Sequence, residues 1–582
     1  MRTPITAPNL ILSRRGQRAV PGAIAILVSG FGAAPAFSQI LYWDRNGGST
    51  GSGSSPHGWW ADLNWSFFDN WNSNSAGTGS TNRWINGRDA VFSAGSDAAG
   101  SNYTVNIRST VRPGAINVQD GNVTFNNGTI QFNDSTADFT VASGSTATVG
   151  STNLSGWNGL RKYGTGRLEI TSSNSYGGIT NIQQGSVLVS ADGALGNSTW
   201  GNVVASGANL SIAGDTTLTE GEIGISGTGT SGEGAITSVS GSNTINSAIA
   251  VDDDATISTQ SGSNLTFGGS GGFAVDNDLT VGGAGNTNIN NNLYGAGSIT
   301  KTDTATLTFD GSADNSTSGG LNINAGTVVL ARNDGVSSAG QGPITVGDGS
   351  GAASSAVLRL DANNQIADWI TGINVDSDGL IDIGEFTESV NVIGGTGTIN
   401  IDASGNFTVG VNSGSSTFGG NLTGTGNFIK TGSGTLTFNN DILFDGSVFL
   451  NGGTLDLNGF DIGFDSLHVG ANSVINFGAG VNSNFDLGSL ELADGVTLQI
   501  SNWINGNDLF LSNAWSGAVY DTTGTDPMNQ IIFSGFGGND TAWRSFNDEI
   551  TPIVPEPGSY GALFMGLSLV GWLSRRPRRS RG

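Results

Sequence analysis

Leu160-Arg-Lys-Tyr-Gly-Thr-Gly-Arg-Leu-Glu-Ile170 is followed, after a short polar stretch, by Gly185-Ser-Val-Leu-Val189, and this two-part phrase returns twice. The second copy reads Ile299-Thr-Lys-Thr-Asp-Thr-Ala-Thr-Leu-Thr-Phe309 and then Ala325-Gly-Thr-Val-Val-Leu330. The third reads Phe428-Ile-Lys-Thr-Gly-Ser-Gly-Thr-Leu-Thr-Phe438 and then Gly452-Gly-Thr-Leu-Asp-Leu457. Each half is a polar or glycine-rich turn leading into apolar residues at every second position, the period of a strand with one buried face. A chain that repeats one strand-turn-strand unit, here near 160–190, 299–330 and 428–457, is expected to be a stack of coils.

The composition agrees with a stack. The 582 residues include 94 glycines, and only 12% are charged, unlike a globular mixture. A solenoid turns a corner several times per coil, and glycine takes the φ > 0 conformations found there without a Cβ clash. A disordered coat is the competing expectation, but runs such as Asn122-Val-Thr-Phe-Asn126 and Phe407-Thr-Val409 keep an alternation that linkers lack. Such runs continue from about residue 101 to 500. At ~20–25 residues per coil they predict about 16–20 coils and a length of roughly 80–95 Å. Composition and spacing alone give a glycine-rich, repetitive all-β protein.

The repeat resembles the passenger-associated, or autotransporter-associated, β-strand repeat of bacterial surface proteins. That resemblance implies a right-handed parallel β-helix carried outside the cell. The sequence departs from true autotransporters in having no C-terminal run of amphipathic strands suited to an outer-membrane barrel, so self-transport is not expected.

Charge and cysteine usage exclude whole classes of function. The net charge is −25, and nine of the 22 basic residues fall in the two ends of the chain, so the interior is more acidic still. Such a surface repels nucleic acid and anionic lipid. With no cysteine, disulfides and thiolate sites are impossible and stability must come from stacking.

Both ends read as addresses. Residues 1–38 carry basic Arg14, Arg15 and Arg18, an apolar run from Ala19 to Ala34, and small residues up to Ser38, the pattern of a signal peptide recognised by the secretion translocon. Residues 554–582 open with Val554, Pro555, Glu556 and Pro557, continue through an apolar segment over 560–573, and end with Arg575, Arg576, Arg578 and Arg579. This order resembles the PEP-CTERM sorting signal of Gram-negative bacteria. The resemblance implies processing at or near the Pro-Glu-Pro motif by an exosortase-type enzyme, commonly in organisms that make exopolysaccharide. The arginine tail would stay cytoplasmic, holding the chain transiently in the inner membrane as a short transmembrane helix. A plain anchor is the alternative, but the 560–573 segment would span only about 21 Å against a core of ~30 Å.

Residues 39–100 hold six tryptophans, among them Trp43, Trp59, Trp60, Trp65, Trp71 and Trp84. They resemble the leader that precedes these repeats and are expected to cap the apolar end of the solenoid. The alternative is a carbohydrate platform in which Trp59 and Trp60 stack on sugar rings. Residues 501–553, with Trp503 and Trp515, are expected to form a second cap and a tether.

One segment matches a metal motif. Asn374, Asp376, Asp378, Asp382 and Glu385, with Gly379 at the sixth position, fill a twelve-residue calcium loop. The same segment also overlays the repeat strand Gly452–Phe460, and only Asn363–Ile370 offers an entering helix, so a repeat strand is the default and calcium the alternative. No catalytic set is expected: the two histidines, His57 and His468, lie in unrelated contexts, and no nucleophile elbow accompanies them. The sequence points to an exported, non-enzymatic scaffold or adhesin at the cell surface or in an extracellular polysaccharide matrix. A polysaccharide-binding module is the alternative, and a polysaccharide lyase or hydrolase on a β-helix the more remote one.

Overall fold

The computed structural model describes residues 40–553 except 62–68, 133–136, 371, 481, 514–527, 538–539 and 545–546. The signal segment 1–38, Trp65, Trp515 and the whole sorting signal, including Val554–Pro557, the 560–573 segment and the arginine tail, lie outside the described residues. Among the described residues no helix is long and apolar enough to cross a membrane.

The fold is the expected all-β parallel solenoid, with about 19 turns and almost no helix. Each regular coil lays one strand on each of three faces. On the first face Ala115–Val118, Ala137–Val141, Leu160–Tyr163 and Thr180–Ile182 follow one another in parallel. On the second the succession is Asn122–Asn126, Thr146–Val149, Arg167–Ile170, Gly185–Val189 and Ala208–Ala213. The third holds Thr129–Phe132, Asn153–Gly156 and Ser175–Tyr176, and further along Thr306–Gly311, Gly326–Arg332, Ala356–Leu360 and Gly379–Gly384.

Register keeps the alternation in line from coil to coil. Val123, Ala147, Leu168, Val187 and Leu210 are successive partners on the second face, as are Phe125, Val149, Ile170, Val189 and Ile212, and all ten are buried. A one-residue slip would turn each ladder outward, so burial fixes the register along the stack. Outward positions form polar ladders, such as Asn122 Nδ2 donating to Asn102 Oδ1 at 2.9 Å and Asn427 Nδ2 to Asn406 Oδ1 at 2.9 Å.

The parallel pattern gives way at both extremes. Leu41–Trp43 pairs antiparallel with Trp71–Asn72, and Thr541–Arg544 pairs antiparallel with Glu549–Pro552. Yet Leu41–Trp43 also pairs in parallel with Ala90–Phe92, so the tryptophan-rich segment contributes strands to the stack as well as covering its end. Trp43, Trp60, Trp71, Trp84 and Phe92 form one buried cluster, with ring centroids 4.7–5.8 Å apart among its contacting pairs. Aromatic mass closes the apolar end here, where an open strand ladder would invite another chain.

Candidate functional site

Lys162, Lys301 and Lys430 each occupy an inward position, in line with Leu160, Ile299 and Phe428, and each is essentially fully buried. All three ammonium groups meet the same partners at a corner. Lys162 Nζ donates to the carbonyls of Tyr163 at 2.9 Å, Gly164 at 2.7 Å and Gln184 at 3.2 Å. Lys430 does so to Thr431, Gly432 and Gly452 at 2.8, 3.2 and 3.3 Å, and Lys301 to Thr302, Asp303 and Ala325. Two acceptors belong to the lysine's own corner and the third to the same corner of the next coil, one residue before Gly185, Gly453 or Gly326. Three ammonium protons therefore match three corner carbonyls that no strand partner reaches. Burial pushes Lys162 and Lys301 down to about 8 and Lys430 in the same direction. These groups hold coils together; they face no cleft.

The three corners are not equivalent. Lys162 and Lys430 lie where the first face turns into the second, whereas Lys301 lies where the second turns into the third. The repeat therefore encodes a corner and not a fixed side of the stack.

The third face lacks a strand for one coil between Ser175–Tyr176 and Thr217–Leu218, and the longer interruption among the described coils is on the first face. After the strand Ser316–Thr317 the next two coils cross this face without a regular strand, through residues 333–343 and 361–372, and pairing resumes at Thr387–Val390. Scattered backbone bonds keep the coils aligned, among them Asn315 N–H to Ser337 O, Ser338 N–H to Gln365 O, and Asn364 N–H to Thr387 O. Where a ladder lapses, buried polar groups must find other partners, and here side chains supply them. Gln365 Oε1 accepts from Arg332 N–H, and the buried Arg332 guanidinium donates to the carbonyls of Ala313 and Asn291. Glu388 accepts from the N–H groups of Gln365 at 2.7 Å, Ile366 at 3.1 Å and Ser389 at 2.9 Å. Burial pushes its carboxyl up to about 8, against the opposing pull of those three amides.

Above this polar floor the bulging segments leave a cleft of about 340 Å³. Asp314, Ser337, Gln341, Asn364, Asp368 and Trp369 line it, and Trp369 is 67% exposed. An indole face beside carboxylates and amides can bind a ligand with one apolar face and several hydroxyl groups.

Residues 373–375 and 379–384 are strands, the default reading, and the sites offered as alternatives do not assemble. Asn374 lies on the strand Ile373–Val375 and Asp382 on Gly379–Gly384, two different faces, so the five calcium-loop residues do not converge; no carboxylate group able to hold a metal occurs among the described residues. Asp378 is buried and accepts from Gly349 N–H at 2.8 Å, Asn374 donates to Asp376, and Asp382 accepts from Asn400. Asn363–Ile370 is not a helix but part of the interrupted face. Trp60 is fully buried, so a sugar cannot stack on it, and Trp59 is half-buried with the Arg108 guanidinium 4.2 Å from its ring. His57 Nδ1 accepts from Thr104 N–H, while His468 stacks on Phe449 and pairs with Glu491.

Fold and corners together define a parallel β-solenoid whose recurring unit closes a corner around a buried lysine. The Passenger-associated-transport-repeat family matches residues 160–189, 299–330 and 428–457, the three lysine-bearing units. The chain is also 30% identical over 211 residues to the adhesin BmaC autotransporter of Brucella suis biovar 1 (strain 1330). The aligned stretch is 35% of this chain but only 6% of that protein's length. No solved structure matches.

Proposed function

We propose that this protein is an exported, non-enzymatic display scaffold of the adhesin type, in which the solenoid holds long polar faces and a few shaped sites away from the cell. The observation that carries this is the set of three passenger-type units inside a stack of about 19 parallel turns, with likeness to a named adhesin in support. Residues 1–38 direct the chain into the secretion translocon. Val554–Pro557, the apolar segment and the arginine tail then hold it in the inner membrane until an exosortase-type enzyme releases it to the surface or to a polysaccharide matrix. The acidic surface suits solubility in that setting and disfavours nucleic acid.

Mass spectrometry of the C-terminal peptide from membrane, surface and medium fractions of the native host tests the sorting step. A new terminus near Val554–Gly558 in surface or medium material is expected. An intact arginine-rich end confined to the inner membrane would overturn it. Display is tested separately by protease accessibility on intact cells.

A further inference from the structure

We propose that the cleft on the interrupted first face binds a neutral sugar unit of an extracellular polysaccharide, with Trp369 as the stacking surface. Indole faces pack against the C–H face of a sugar ring, while the hydroxyl rim requires acceptors and donors around it. Asp314 and Asp368 supply acceptors, and the amides of Gln341 and Asn364 supply both.

The lining also selects against charged glycans of one sign. It contains two carboxylates and no cation, within a chain of net charge −25, so an anionic polysaccharide is repelled. Arg332 lies buried beneath, committed to the carbonyls of Ala313 and Asn291, and offers no counter-charge. The segment carrying Trp369 is anchored by Glu388 through the N–H groups of Gln365 and Ile366, so the indole projects from a fixed base. Trp157 and Trp200 are also exposed, at 87% and 85%, but neither lines this cleft. They serve as internal controls.

Sugar binding does not depend on the sorting step: a purified chain would bind even if it were never processed, and a processed scaffold could lack the site. The test is native affinity electrophoresis of the full-length chain, kept soluble in mild detergent, through gels containing a β-glucan, a mannan, a galactomannan, alginate or chitosan. Retardation by at least one neutral polysaccharide is expected, with at least a tenfold loss of affinity in Trp369→Ala and a smaller loss in Asp368→Asn. Trp157→Ala and Trp200→Ala should bind as the parent does. No retardation by any neutral polysaccharide would overturn the assignment, as would retardation by chitosan alone or unchanged binding in Trp369→Ala. A concentration-dependent dimer abolished by Trp369→Ala, without sugar binding, would assign the cleft to a second copy of the chain instead. Because Trp369 is mostly exposed, its loss should leave the melting profile in place, and that profile is the check that lost binding is not lost fold.

Discussion

At the residue scale, the repeat is a device for closing a corner. The lysine supplies three donors where the backbone leaves three acceptors, and the glycine of the next coil lets that coil lie against them. Gly326 has φ +74°, and a Cβ there would overlap the carbonyl oxygen of Asp303. Gly326→Ala is therefore expected to weaken its coils by on the order of 3 kcal/mol, combining a left-handed backbone with a clash. Gly207→Ala, with φ +80° but open space around it, should cost only about 1 kcal/mol. Lys301→Met leaves the carbonyls of Thr302, Asp303 and Ala325 without their donor, and a loss of about 2–4 kcal/mol is expected. Hydrogen exchange of amides in the two flanking coils reads both effects locally, which suits a stack whose coils contact only their neighbours. The lysine's burial was legible in sequence from parity, since it shares the inward side with Leu160, Ile299 or Phe428. Its partners were not, because the third acceptor lies more than twenty residues away along the chain.

At the scale of the element, the first face shows what a stack does when strands lapse. Glu388 sits at the inward parity of Thr387–Val390, where Val390 is the ordinary occupant, and that parity marks it in the sequence as an unusual buried carboxylate. What the sequence hides is the reason: Gln365 and Ile366 reach it from the preceding coil, across a bulging loop with no periodicity to read. The calcium motif, the alternative to a repeat strand, does not assemble for the complementary reason. Its spacing is satisfied locally, but the chain crosses a corner between Asp376 and Gly379 and sends its oxygen ligands to different faces. Glu388 also sets a pH dependence. Its unfolded value is ~4.3 and its folded value about 8, so between these the native state keeps a proton that the unfolded state has lost. The stability it contributes is full below about pH 4.3 and falls as pH rises toward 8. Urea midpoints for this region should drop across that window, and Glu388→Gln should flatten the drop. An unchanged slope in the variant would remove Glu388 as its source.

At the scale of the molecule, an open solenoid end is a hazard, and at both extremes of the described stack the chain has antiparallel pairing and buried aromatic rings, Trp71 with Trp84 at one and Trp503 with Phe533 at the other. Trp60→Ala is expected to cost about 3–5 kcal/mol and to expose the first coils to protease, whereas Trp157→Ala should stay within about 0.5 kcal/mol. Limited proteolysis with mapping of the earliest cleavage sites distinguishes the two. A repetitive all-β chain was legible from alternation and glycine spacing, and its parallel stacking from the resemblance that the repeats carry. A cap was the expected role of the tryptophan-rich segment, but which tryptophans are buried needed the structure, because neither Trp60 nor Trp157 stands in a periodic strand whose parity would mark it as inward or outward.

The placement of the three lysines has a consequence for how such a gene can change. Because the inherited unit closes a corner and fits at more than one of them, a duplication need not add a whole coil. Adding one corner with its strand would advance everything downstream by a third of a turn while leaving its internal contacts intact. The cleft beside Trp369 would then look out in another direction. Recombination within the repeats would thus redirect what the surface presents without first having to dismantle the fold that presents it.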